Sequence, residues 1–296
     1  MDQANKLRDL IRSREKMQEV DELSEAQCNA RVIAVTSGKG GVGKTNCTVN
    51  MAIQMRRQGL RVVIIDADFG LANIEVLLGI VPRYSLAEVF KGTRTIEEVL
   101  TDGPEGIRFI SGGSGLRELA NVSERELSTF VRSLVELDEL ADVILIDTGA
   151  GISRAVLNLV MAANEAIIVT TPEPTSVTDA YALIKMAKSE PKEMPTFKII
   201  VNRTEEESEG RAVFEKLSKV TAQFLNVRVE YLGTIPHDRD LVRAVKRQRP
   251  VVQEYPISTF TKAIERIGNR LMNIHVQPTR QTGILSFVRR LMNPRG

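Results

Sequence analysis

From Arg31 onward, short apolar runs alternate with longer stretches of helical period. The runs Val32–Val35, Val62–Ile65, Ile107–Ile110, Val143–Ile146, Ala166–Val169, Phe197–Val201 and Val227–Leu232 are almost wholly apolar and rich in β-branched residues. Such runs suit strands covered on both faces, since a half-exposed strand would alternate apolar and polar residues. The spacers predict crossover helices at about 44–59, 123–140, 153–163, 175–188 and 207–223, with 238–247 and 257–274 closing the fold. This pattern gives an α/β class: a doubly wound, mostly parallel sheet flanked by helices.

Both ends depart from the alternation. In residues 1–27, Leu7, Leu10, Ile11, Arg14 and Met17 fall at three- and four-residue steps, which predicts an amphipathic helix ahead of the first strand. After His275, the polar stretch Val276–Thr282 is broken by Pro278 and reads as a tether. Behind it, Ile284, Leu285, Phe287, Val288, Leu291 and Met292 share one helical face, while Ser286, Arg289 and Arg290 lie on the other. A short basic amphipathic helix of this kind can lie in a bilayer interface, and it is too short to span one. The same pattern suits a terminal helix docked on the protein core; the polar tether and Arg289, Arg290 and Arg295 favour the membrane. The chain therefore divides into a head (1–27), a main domain (31–275) and a tail (276–296).

Composition narrows the partners. A net charge of +2 and 4% aromatic residues supply neither a basic field nor a stacking platform, so DNA is not expected as the main partner. Cys28 and Cys47 are too few for a disulfide framework or a cysteine metal site within one chain, which suits a reducing cytosol. The polar start lacks the apolar core of a signal peptide, and no uninterrupted apolar run is long enough to cross a membrane.

The first strand leads into Gly38-Lys39-Gly40-Gly41-Val42-Gly43-Lys44-Thr45, with Asn46 next on the following helix. Glycines at this spacing let the backbone turn and aim its N–H groups at phosphate oxygens. Lys44 is placed to reach the β- and γ-phosphates, and the Thr45 hydroxyl to ligate magnesium, so ATP and Mg2+ are the expected cofactors. Acids sit at the ends of two other strands, in Asp66-Ala67-Asp68 and in Asp147-Thr148-Gly149-Ala150-Gly151, where open α/β sheets gather their ligands.

The second lysine, Lys39, makes this loop resemble the deviant Walker A motif of the MinD/ParA ATPases. The resemblance implies a slow Mg-dependent ATPase that dimerises face to face on ATP, with Lys39 crossing to the partner's nucleotide. It implies Asp68 as the residue that orients the attacking water, with Lys39 and Lys44 assisting, and Asp66 and Asp147 as carboxylates that hold the magnesium of Thr45 through water. The family usually has Asp-Ser-Pro-Ala-Gly at the second switch, and Thr148-Gly149 departs from it. Asn202 and Arg203 look like the adenine-reading pair, and Pro236, His237 and Asp238 resemble the loop that flanks the base. Glu173 and Asp179 fall in the stretch that faces the dimer partner, where they can meet a Lys39.

The branch within the family is suggested by the ends. Metal-cluster carriers use a Cys-x-x-Cys pair, absent here. The head Asp2-Gln3-Ala4-Asn5-Lys6-Leu7-Arg8 resembles the Asp-Gln-Ala-x-x-Leu-Arg motif of the flagellar FlhG (YlxH or FleN) branch. That likeness implies that Asp2, Gln3, Leu7 and Arg8 stimulate a signal-recognition-type GTPase, FlhF. It also implies flagellar basal-body (C-ring) components as partners, with the tail holding the inner face of the cell membrane reversibly. A MinD-like division-site ATPase and a ParA-like DNA-partition ATPase are the alternatives.

Overall fold

The computed structural model describes residues 30–68, 73–113, 136–191, 193–273 and 283–292; for Phe90, Leu285, Arg289 and Met292 it describes the backbone alone. The head residues Asp2, Gln3, Leu7 and Arg8, the tether and most of the helix expected at 123–140 lie outside the described residues.

All seven apolar runs are strands or lie largely within strands. They are β1 (Arg31–Ser37), β2 (Val62–Ala67), β4 (Arg108–Ile110), β5 (Val143–Ala150), β6 (Glu165–Thr170), β7 (Thr196–Thr204) and β8 (Val229–Pro236). A two-residue strand, β3 (Thr101–Asp102), adds an antiparallel edge on β4. The order across the sheet is β3-β4-β2-β5-β1-β6-β7-β8, and every other pairing is parallel. The chain moves to one side of β1, returns to insert β5 between β2 and β1, and then builds the other side. The carboxyl ends of β1, β2 and β5 thus flank a reversal of strand order, where such sheets bind their ligands.

Successive residues of each strand face opposite layers, so two cores form. On one face, Ile33, Val35, Ile64 and Leu145 pack with α1 (Lys44–Arg57), α2 (Asn73–Leu78), α8 (Arg239–Lys246), α9 (Val251–Glu254) and α10 (Thr259–Asn273). On the other, Val32, Ala34, Ile144 and Ile168 pack with α3 (Leu86–Phe90), α4 (Ile96–Val99), α5 (Arg154–Ala162), α6 (Pro174–Lys188) and α7 (Glu207–Leu225). The short α3 and α4 each begin with a capping box. The Glu88 carboxylate takes the Ser85 N–H at 2.7 Å, and that of Glu98 takes the Thr95 N–H at 2.9 Å. These reciprocal bonds satisfy donors that a one-turn helix could not satisfy itself.

The last helix, α11 (Ile284–Met292), forms where its period predicts, but its apolar face turns inward. Ile284, Phe287 and Val288 are buried in the same cluster as α5, and Leu291 packs against it. The face expected to meet lipid is covered by the protein's own core in this structure. Burial of each large apolar side chain is worth about 1.5–3 kcal/mol, which is why an amphipathic helix without a bilayer takes this site. Arg290, expected at lipid headgroups, donates from Nε to the Ala162 carbonyl at 2.6 Å. At its start α11 shares a joint with the beginning of β1. Asp138 accepts from Ala30 N at 3.0 Å and from Ile284 N at 3.0 Å, while Gly283 N donates to the Ala30 carbonyl at 3.1 Å.

Candidate active site

The loop after β1 wraps the start of α1, and its glycines answer specific demands. Gly43 has φ 93°, and a Cβ there would lie 2.4 Å from the Asn202 amide nitrogen. A Cβ on Gly38 would lie 2.4 Å from the backbone of Asp179 on α6. Neither position tolerates a side chain, the first for both conformation and space.

Lys44 is buried, and its Nζ lies 3.0 Å from Asp147 Oδ1. This is an ion pair without hydrogen-bond direction, so the ammonium lacks a hydrogen-bond acceptor. A buried cation with unspent donors inside a turn of glycines fits a bound phosphate chain. The Thr45 hydroxyl donates to Asp147 Oδ2 at 2.7 Å. Asp147 is wholly buried, with Asp66 beside it in register on β2. Burial first, and then the neighbouring Asp147 charge, pushes the Asp66 carboxyl up to about 6. Two carboxylates side by side with a hydroxyl suit a divalent cation, which would relieve their repulsion. Among the described residues, no group of three His, Cys, Asp or Glu side chains could hold a metal by itself. Thr45, water and phosphate oxygens are therefore the fitting magnesium ligands, with Asp147 and Asp66 acting through water.

Asp66 also anchors the segment that follows β2. Its oxygens accept from the backbone N–H of Asp68 at 3.1 Å, Asn73 at 3.1 Å and Ile74 at 3.2 Å, so it spans both ends of the segment that includes 69–72. Asp68 accepts from Asn73 Nδ2 at 2.9 Å, and its Oδ1 lies 3.6 Å from where a Gly149 Cβ would stand. Asp68 therefore faces Gly149, where an added Cβ would stand in ordinary van der Waals contact with it. Gly151 N donates to the Ser37 carbonyl at 2.8 Å and ties the second switch to the base of the loop.

Several expected residues also make bonds within the chain. Asn202 is buried, and its Nδ2 donates to the Val42 carbonyl at 2.7 Å while its Oδ1 accepts from Arg203 N at 2.9 Å. Asn202 thus braces the phosphate loop through one of its two N–H groups, and the expected adenine contact would use the second N–H and the second lone pair. Asp238 caps α8 by accepting from Asp240 N at 2.7 Å and also accepts from Phe260 N at 2.8 Å, which leaves it a joint between α8 and α10. Arg203, at φ 59°, and His237 remain exposed beside these braces, with Pro236 half-buried. Val42 is buried, Asn46 is half-buried, and Gly40 and Gly41 are exposed at the loop's crest.

Lys39 and Glu173 do meet, within one chain. Nζ lies 2.8 Å from Glu173 Oε2 and 3.3 Å from Thr175 Oγ1, and both ends of the pair are exposed. The Lys39 contact holds the Glu173 carboxyl below its ordinary value. Asp179 is half-buried under Gly38. Thr48 was missed from the sequence. Its hydroxyl donates to Asp147 Oδ1 at 2.8 Å from inside α1. The available signal was its position four residues after Lys44, one turn along the same helix face.

A family model described as ParA, NUBPL iron-transfer P-loop NTPase, matches residues 29–272. The chain belongs to the ParA/MinD family of P-loop ATPases. It is 39% identical to the antiactivator FleN of Pseudomonas aeruginosa over 88% of this chain and 93% of that protein. It is 34% identical to the flagellum site-determining protein YlxH of Helicobacter pylori over 89% of this chain and 90% of the other. Among solved structures, MinD in the Aquifex aeolicus MinC:MinD cell division complex superposes with a TM-score of 0.66 at 29% identity. That match covers 86% of this chain and all of the other. These likenesses support the FlhG resemblance drawn from the head. As a ParA/MinD ATPase, the chain is an ATP-hydrolysing enzyme that works with Mg2+. The iron-transfer part of the family description does not carry over to its cysteines. Cys28 and Cys47 are too far apart for a Cys-x-x-Cys pair, and Cys47 is buried, with its thiol pushed up to about 12 mainly by burial.

Proposed function

We propose that this chain is an ATP-driven dimer switch that controls the number and placement of flagella. ATP would join two copies face to face, and hydrolysis through water oriented by Asp68 would part them. Lys39 carries this reading. Its side chain stands exposed at the mouth of the loop and is held by the equally exposed Glu173 and Thr175. Exposed ion pairs contribute little, so the phosphates of a partner's nucleotide would compete well for this lysine. Asn202, Arg203, Pro236, His237 and Asp238 would line the base, with Asn202 and Asp238 also braced by bonds within the chain.

The tail would exchange its place on the core for the inner face of the cell membrane. Leu285 and Met292 would then join Ile284, Phe287, Val288 and Leu291 in lipid. Core and hydrocarbon are both apolar, so the exchange returns much of the burial energy it gives up. Two tails in one dimer bind more strongly than one through effective concentration. The head, through Asp2, Gln3, Leu7 and Arg8, would stimulate the GTPase of FlhF, and C-ring components would be further partners. Similarity to FleN and YlxH supports this flagellar output.

Counting and locating flagella in a deletion strain tests the output. Altered number or placement is expected, whereas minicells with normal flagella would transfer the reading to division-site selection. Liposome flotation with ATP should pull down the full chain but not one truncated before Gly283; equal flotation would remove the tail from membrane binding. For the head, a peptide of residues 1–25 should accelerate FlhF and its Gln3→Ala version should not.

A further inference from the structure

Asp147 receives three contacts. Thr45 Oγ1 donates to Oδ2 at 2.7 Å, Thr48 Oγ1 donates to Oδ1 at 2.8 Å, and Lys44 Nζ pairs with Oδ1 at 3.0 Å. Two of these belong to groups that nucleotide binding claims for itself. Lys44 is drawn to the phosphates and Thr45 to the magnesium, and neither can then fully serve Asp147. Thr48 stands apart. It lies one turn deeper in α1, wholly buried, and its hydroxyl is also 3.1 Å from the Lys44 carbonyl, which fixes its rotamer.

We propose that Thr48 is the positioning residue for the magnesium-facing carboxylate of Asp147. It keeps Oδ1 tied to α1 while Oδ2 is left to the ion's water shell. The need is electrostatic as well as geometric. Asp66 lies in register beside Asp147, and both are buried, so a carboxylate without an anchoring donor would turn away from its like-charged neighbour. A neutral hydroxyl anchors without consuming charge, so the site stays negative for the cation. A lysine or arginine in that place would compete with magnesium. Outer-shell partners of this kind typically change metal affinity 10–100-fold when removed.

The inference deepens the ATPase reading, and the experiment separates the two. Binding of a fluorescent ADP analogue is measured in EDTA and then across a magnesium titration, beside the Tm of the nucleotide-free protein. Failure of the unaltered protein to bind the analogue would defeat the nucleotide site itself. If that site holds, Thr48→Val should keep its EDTA affinity within about twofold and raise the half-saturating magnesium concentration at least about tenfold. Thr48→Ser, which retains the hydroxyl, should stay within about threefold of the unaltered protein. An unchanged magnesium requirement in Thr48→Val would overturn the proposal, as would a Ser variant as impaired as Val, because the methyl group would then be the part that matters. Should the Val variant fail to fold, Thr48→Ala is compared with Thr48→Ser in the same titration. An Ala variant that needs no more magnesium than Ser would overturn the proposal equally.

Discussion

The two ends of the sheet handle charge in opposite ways. At the amino ends of the strands, Arg31, Glu165, Lys198 and Glu230 alternate in sign across β1, β6, β7 and β8. Arg31 pairs with Glu165, with Nη2 2.7 Å from Oε2, while Lys198 lies 3.4 Å from Glu165 and 2.5 Å from Glu230. Each of these four charges has an opposite neighbour. At the carboxyl ends, like charges stand side by side in Asp66 and Asp147, and Lys44 keeps donors without acceptors. The finished network serves stability, since buried charge is tolerated when paired. The unfinished one marks the place where a ligand completes the pairing.

Breaking the finished end should have the largest effect. Lys198→Met leaves Glu165 with one cation fewer in a buried setting and should cost about 3 kcal/mol in urea unfolding, with nucleotide affinity of the folded protein unchanged. A cost below about 1 kcal/mol would erase the contrast between the two ends. At the unfinished end, Asp68→Ala should lower hydrolysis about 100-fold while ATP binding and the proposed ATP-dependent dimer persist. Hydrolysis at the normal rate would take Asp68 out of the mechanism.

A smaller effect concerns pH, in buffer free of nucleotide and magnesium. Asp66 has its folded value pushed up to about 6 from 3.8. Between those values the folded state keeps a proton that the unfolded state has lost, so stability falls as pH rises through this window. The fall should be on the order of 2 kcal/mol, and Asp66→Asn should flatten it. An equal slope in both proteins would assign it to other groups. The smallest effect is expected at Glu173→Gln, which loosens an exposed pair and should leave Tm unchanged within about 1 °C. A clear drop would mean that Lys39 is held more firmly than its exposure allows.

Much of this was legible in the chain. Strands covered on both faces betray themselves by runs such as Val62–Ile65, and the phosphate loop by the spacing of its glycines. Asp66 and Asp147 were recognisable because each ends such a run. Contacts between distant segments were not legible. Asn202 meets Val42 across 160 residues, and no local pattern says that an amide after a strand will brace a loop. Asp238 precedes a helix and is a capping residue type, yet its second partner, Phe260, is set by tertiary packing. The capping boxes Ser85 to Glu88 and Thr95 to Glu98 are written plainly, and α3 and α4 were overlooked because one turn carries too little period. For α11, amphipathicity requires a cover for Ile284, Phe287 and Val288 and is silent on whether that cover is protein or lipid.

The joint at Asp138 gives the molecule a direction. Residue 30, where the head begins its departure, and residue 284, where the last helix starts, are pinned to one carboxylate at the amino end of β1. The phosphate loop sits at that strand's other end, roughly 20 Å away for seven residues of strand. Nucleotide would therefore enter at one end of β1, while residue 30 and the start of the docked last helix are held at the other. Under the function proposed above, a surface that took up the last helix would also meet the root of the head, so anchoring and partner activation would share one address.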